Sequence, residues 1–196
     1  MSFQFLDPGA MVDQELELVA PAAQWIEDML AACHHPLTAR DMPAEAHTTR
    51  EHLEKLIASY PKGHVPADPS QDLVPAYNFW MHLSARDEHG ITMAGGIRLR
   101  IGSTHNIEQY YGHIGYHVYP PARGHHYAER AARLVLPLAR RHAMKSLIIT
   151  CNPDNIPSRR TCERLGASLI DIVALPPDNP LFLRGERAKC RYLLRL

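Results

Sequence analysis

The sequence has no Cys-x-x-Cys pair; its four cysteines, Cys33, Cys151, Cys162 and Cys190, are scattered. They read as reduced thiols rather than a disulfide or zinc framework, the usage expected of a cytoplasmic protein. No apolar run approaches the roughly 18 residues that cross a bilayer. The first ten residues, MSFQFLDPGA, carry acid and proline where an export signal needs a basic flank and an apolar core, so neither export nor a membrane partner is expected. There is no internal repeat and no low-complexity segment. The 13 histidines include adjacent pairs at 34–35 and 125–126, but neither His-x-x-x-His nor Glu-x-x-His falls on a predicted helix, so no metal is expected.

Net charge is also absent, with 21 Lys+Arg against 21 Asp+Glu, yet the charges are unevenly placed. Residues 1–120 carry 7 basic against 15 acidic side chains, and residues 121–196 carry 14 against 6. Either the two parts attract each other, or the C-terminal part receives an anionic ligand. Nucleic acid is not expected, because the arginines are dispersed and lack interleaved stacking aromatics.

The 196 residues suit one domain. Residues 13–33 read as an amphipathic helical stretch interrupted near Pro21, and TTREHLEKLIASY (48–60) as a helix with the Thr48…Glu51 capping-box spacing. A proline-rich connector (61–75) follows. AYNFWMHLSA and ITMAGGIRLRIG then form a hairpin around RDEHG, and GHIGYHV a third strand. Residues 122–143 are a helix bent by Pro137. KSLIITC is a strand, NIPSRRTCERLG a short helix, and ASLIDIVAL and AKCRYLLRL two more strands. This order implies an α/β domain with a mixed sheet.

The stretch RGHHYA (123–128) lies between strand and helix. Such a turn leaves backbone N–H groups without intrahelical partners, aligned with the helix dipole, and so forms an anion site. Gly124 lets the backbone come close to a phosphate, and Arg123 adds charge-assisted donors. The string Val118-x-Pro120-x-x-Arg123-Gly124 is followed by LIITCNPDN and by N-x-x-S-x-x-x-x-E-R-L-G-A over 155–167. Together with GHIGYHV and TCNPDNIPSRRTCERLGA, these motifs resemble the GCN5-related N-acetyltransferase (GNAT) superfamily, and in particular a bacterial branch of it. The resemblance covers residues 76–175.

It implies a single domain over 1–196: a helical acceptor-side part (1–75), an acetyl-CoA-binding core (76–175) and a C-terminal strand region (176–196). The sheet would be mixed and mostly antiparallel, splayed in the middle, with helices on both faces. Acetyl-CoA would be co-substrate and an amine the acceptor, and analogy suggests a homodimer. Backbone around Tyr116, His117 and Val118 would pair with the pantetheine arm. The amides of Arg123, Gly124, His125, His126, Tyr127 and Ala128 would hold the pyrophosphate, with Asn155 and Ser158 facing the pantetheine. Asn155 equally fits a helix cap ahead of Pro157.

Two departures stand out. His126 occupies the first glycine of the usual Arg/Gln-x-x-Gly-x-Gly/Ala loop, where positive φ would strain a side chain by ~1–2 kcal/mol. Cys162 stands where many relatives have the tyrosine that protonates the leaving thiolate; it is either a thiol acid or a buried structural cysteine. His113 and Glu108 are candidates for the base that deprotonates the amine, with His117 a second imidazole on the same strand. Tyr110 and Tyr111 would shape the acceptor pocket. Arg98 and Arg100 share one strand face, as carboxylate holders or as a solvated edge. Rival readings are a non-catalytic acyl-CoA sensor or an interaction module on the same scaffold.

Overall fold

The computed structural model describes residues 3–196. Its elements, in chain order, begin with strands β1 (Val12–Asp13) and β2 (Leu16–Val19) and helices α1 (Ile26–Cys33), α2 (Pro36–Asp41) and α3 (Arg50–Ser59). Strands β3 (His64–Val65), β4 (Ala76–Leu83), β5 (Met93–Arg100) and β6 (Ile114–Val118) follow. The chain continues through α4 (Tyr127–Arg141), β7 (Ser146–Cys151), α5 (Ile156–Arg164), β8 (Ser168–Ala174), α6 (Pro180–Leu183) and β9 (Ala188–Arg195). The strands form one sheet in the order β1-β2-β4-β5-β6-β7-β9-β8, with β3 against β4. Every pairing is antiparallel except β6 with β7.

The β6–β7 seam is the feature that makes the site. It holds at one register pair, Ile114 with Ile149, whereas β7 and β9 pair over six. Beyond Ile114 the two strands diverge, and the edge of β6 facing β7 is left open. On its other side β6 lies unusually tight against β5. A Cβ built on Gly95, whose φ is +155°, would fall 2.1 Å from the His117 carbonyl oxygen. Only glycine allows that approach.

Helices cover both faces, as expected. Tyr119 of the β6 end packs on Met29 and Cys33 of α1, while Tyr77 on the opposite face bonds His142 at the end of α4 at 2.7 Å. The side of α4 that meets the sheet is Ala131, Ala132, Val135, Leu138 and Ala139, all buried. Small residues in its first turns let the helix sit close to the strands. α4 runs unbroken through Pro137, which lies on its exposed side, where water can replace the missing donor.

Two expectations are corrected. Residues 13–33 are not one helical stretch: Leu16 and Leu18 are buried, Glu17 is exposed, and the segment pairs with β4. The period-two burial and the free edge of β4 override the helix propensity of Leu and Glu. Helix begins only at Ile26. The cap of α3 is Thr49, whose Oγ1 accepts from the His52 amide at 3.2 Å. The Thr48 carbonyl is taken by His34 Nε2 at 2.8 Å, which fixes the chain one residue earlier. All four cysteines are free and buried.

The charge asymmetry has a partly structural origin. Arg130 of α4 reaches Asp13 Oδ2 at 2.6 Å and Glu15 Oε1 at 2.7 Å, docking the basic part on the acidic β1–β2 turn. The guanidinium holds the Glu15 carboxyl far down, to about 2.

Candidate active site

Two hollows meet in the gap between β6 and β7. The larger, about 640 Å³, lies between the β6 end, the turn at 123–128 and α5. The smaller, about 220 Å³, is bordered by Tyr110, Tyr111, Gly115, Thr150 and Lys189. Tyr116, Asn155 and Ser158 line both, so these residues mark where one space gives onto the other.

The edge of β6 is available as sequence reasoning expected. Tyr119 N–H bonds the Ala94 carbonyl at 2.9 Å, and alternation then turns the N–H and C=O of Tyr116 and Val118 away from β5, into the gap. Among the described residues, the amides of Gly124, His125, His126, Tyr127 and Ala128 find no protein acceptor, and the α4 N-cap makes no side-chain bond. Five free N–H groups at a helix N-terminus make a strong anion cradle. Arg160 and Arg164 line the same hollow and were not singled out from the sequence; they sit one helical turn apart on α5.

His126 does have positive φ, +58°, so a side chain stands where the backbone favours glycine. Its Nδ1 accepts from Arg164 Nη1 at 2.8 Å. Replacing His126 by glycine relieves about 1 kcal/mol of strain and gives up one exposed contact. Anion affinity measured by calorimetry should stay within about twofold or improve; a tenfold loss would make the ring itself a ligand. The His125 ring instead stacks on Tyr127 at 5.5 Å and does not line the hollow. Tyr127 is buried, its hydroxyl donating to Glu15 at 3.1 Å, so it offers the site its amide alone. Arg123 leans back along β6, Nε 3.4 Å from the Val118 carbonyl and Nη1 3.8 Å from Asp41.

Asn155 caps α5, its Oδ1 accepting from the Ser158 amide at 3.1 Å, and also borders both hollows. Asn155 is therefore a helix cap that also faces the hollows. Ser158 Oγ lies 2.8 Å from the Tyr116 hydroxyl. Burial pushes the Tyr116 phenol well above its ordinary range, so it keeps its proton at neutral pH. From the sequence Tyr116 contributed only backbone; nothing in the pattern GHIGYHV says where its phenol points.

The geometry corrects three catalytic assignments. His113 is buried with both ring nitrogens engaged: Nδ1 accepts from the Ile148 amide at 2.8 Å, and Nε2 meets Ser103 Oγ at 3.0 Å. Burial pushes its pKa down, and no lone pair is left for a substrate proton. Glu108 is exposed on the π-helical turn Ile107–Tyr111 and lines neither hollow. Cys162 is fully buried and also lines neither; its thiol is pushed up by its neighbour Cys151 and by burial. His117 remains. Its ring lies over Gly96, borders the larger hollow and has no hydrogen-bond partner among the described residues. The residue is exposed, so the ring is open to the hollow.

Arg98 and Arg100 are not an edge pair. β5 is central, and both side chains are half-buried.

A sheet parted at one seam, with free helix-start amides at its mouth, offers room for an extended anionic molecule between two half-sheets. A family model described as "Acetyltransferase (GNAT) domain" matches residues 15–168. The chain belongs to the GNAT acetyltransferase family and is an N-acetyltransferase. Comparison with curated proteins finds no match. Among solved structures, the fold is similar to the microcin C7 self-immunity acetyltransferase MccE in complex with acetyl-CoA and AMP (TM-score 0.62, 16% identity, 94% of each chain). It is also similar to RimL, a ribosomal L7/L12 α-N-protein acetyltransferase in complex with coenzyme A (0.64, 17%, 95% of this chain and 98% of that one). An acetyltransferase from Salmonella typhimurium that modifies the N-terminal serine of L7/L12 is a third (0.58, 17%, 94% and 96%).

Proposed function

We propose that the protein moves the acetyl group of acetyl-CoA to a primary amine by direct attack. The observation that carries this is the run of unpartnered amides at Gly124–Ala128, at the foot of a hollow that opens onto the free edge of β6. The diphosphate sits on those amides, and the pantetheine arm pairs with Tyr116 and Val118. The thioester then lies near Tyr116 and Ser158, where the two hollows meet, with the amine arriving beside His117.

Neutral His117 takes the ammonium proton. The free amine adds to the thioester carbonyl, the C–S bond breaks, and the Tyr116 hydroxyl gives its proton to the departing thiolate. The surplus proton on the new amide nitrogen restores the phenol, and His117 returns its proton to water. Ser158 supports that hydroxyl throughout. The L7/L12 acetyltransferases among the neighbours act on chain-terminal amines, and a terminal amine is one acceptor that suits this chemistry; a small-molecule amine is another.

The test is thiol release from acetyl-CoA across an amine panel, with melting curves beside it. Acetyl-CoA at about 100 times its Kd should stabilise the fold by about 2.7 kcal/mol; no shift would remove the proposal. Tyr116→Phe should cut kcat by about 100-fold with acetyl-CoA affinity unchanged; an unchanged kcat would free Tyr116 from the role. The acid limb of the kcat profile should report the His117 imidazole, and His117→Asn should abolish that limb.

A further inference from the structure

The face of β5 and β6 opposite Tyr116 carries a charge arrangement that acetyl-CoA does not use. Arg98 and Arg100, two residues apart, project on one side, and the residue paired with Arg98 on β6 is Gly115. A Cβ on Gly115 would meet only Arg100 Nη1, at 3.6 Å. The strand floor beside Arg98 therefore carries only the tip of Arg100, and Gly115 borders the smaller hollow, whereas the two arginines stand beside it and do not line it.

Arg100 is committed to the fold, its Nη1 donating to the Gly112 carbonyl at 2.9 Å and the Tyr111 carbonyl at 3.3 Å. Arg98 is not. Its Nε donates to Asn78 Oδ1 at 2.6 Å, and among the described residues its two terminal nitrogens have no acceptor. Those nitrogens are not sealed in either. Among the described residues no carboxylate lies within ion-pair distance of either arginine, whereas the half-buried Arg130 and Arg191 have acidic partners. Keeping two like charges half-buried without a counterion is unfavourable. Burial, and for Arg100 the charge of Arg98 as well, pushes both guanidiniums down, Arg100 to about 10. A bound anion would relieve all of this.

We propose that the free fork of Arg98, with Arg100 beside it above Gly115, receives a carboxylate carried by the amine acceptor. The inference rests on the acetyl-transfer reading and narrows it. The acceptor is an amine that also bears a carboxylate, either a free amino acid or a chain terminus with an acidic side chain. A planar carboxylate matches two parallel N–H donors. His117 lies two residues beyond Gly115 on the same strand face, so the amine and the carboxylate fall on adjacent positions of one strand.

Thiol release is measured for the proteinogenic L-amino acids beside their carboxamides, and for the dipeptide amides Ser-Asp and Ser-Asn, with the parent protein and Arg98→Met. The acid should be preferred over its neutral partner on the order of 10- to 100-fold in kcat/KM. Arg98→Met should erase that preference and leave acetyl-CoA affinity unchanged. Preference among the free acids identifies an amino acid, and preference among the dipeptides an acidic terminus. Equal use of acid and amide by the parent, or the same preference in Arg98→Met, overturns the proposal. Independently, phenylglyoxal modification of Arg98, read by peptide mass, should be slowed by these acids and not by their amides. Absence of protection overturns the proposal even where no acceptor is turned over. Failure to bind acetyl-CoA would instead count against the acetyl-transfer reading, because protection of Arg98 requires no thioester.

Discussion

Ala128→Asp should leave the protein slightly more stable and nearly unable to bind acetyl-CoA. Ala128 is in the first turn of α4 and lines the larger hollow beside the free amides. A carboxylate there complements the helix N-terminus, worth roughly 0.3–1 kcal/mol. The same charge occupies amides that the diphosphate needs and repels its oxygens. At a few ångströms in a partly screened cleft that repulsion amounts to a few kcal/mol, a loss on the order of 100-fold or more. Melting curves without ligand and calorimetry with acetyl-CoA read the two effects separately. Opposite signs are hard to obtain from general damage, which lowers both. If affinity survives, the diphosphate lies elsewhere.

The second large effect is on the fold. Gly95→Ala places a methyl group 2.1 Å from the His117 carbonyl oxygen and 3.0 Å from the Val118 Cα. Both are backbone atoms, so no side chain can turn aside. β5 and β6 must separate where they carry the cleft, at a cost of at least about 3 kcal/mol, which should lower Tm by some 6–12 °C. Gly124→Ala is the control: its φ is also positive, +99°, but nothing lies within 4 Å of the added atom. That substitution should cost about 1 kcal/mol. Similar losses for the two would mean that backbone conformation, and not the close approach, makes Gly95 necessary.

Much of this was legible in the chain. The alternation in AYNFWMHL and the apolar run of LIITC gave β4 and β7 their places, and the Arg-Gly turn marked the run of free amides at the start of α4, because a turn and its unpartnered amides are local properties. His126 was recognisable as a strained position for the same reason. What local pattern does not carry is tertiary partnership. Leu16–Val19 looked helical because its pairing strand lies more than sixty residues on. His113 looked like a base until the Ile148 amide and Ser103, brought by other elements, filled both its nitrogens. Arg98 and Arg100 were placed on one face correctly, but whether that face is an edge or a buried centre depends on β6 lying beside them. The Tyr116 phenol is the clearest case, since its role follows from α5 crossing its path.

The seam at Ile114 and Ile149 has a mechanical consequence. With a single pair holding β6 to β7, the protein is two stiff plates, β1–β6 and β7–β9, that share little backbone. α4 packs on the first plate and against α5, which lies on β7, so the two helices together act as the strap between the plates. A guest lodged in the fissure would rivet the plates from within, so the loaded molecule would resist shear that the empty one accommodates.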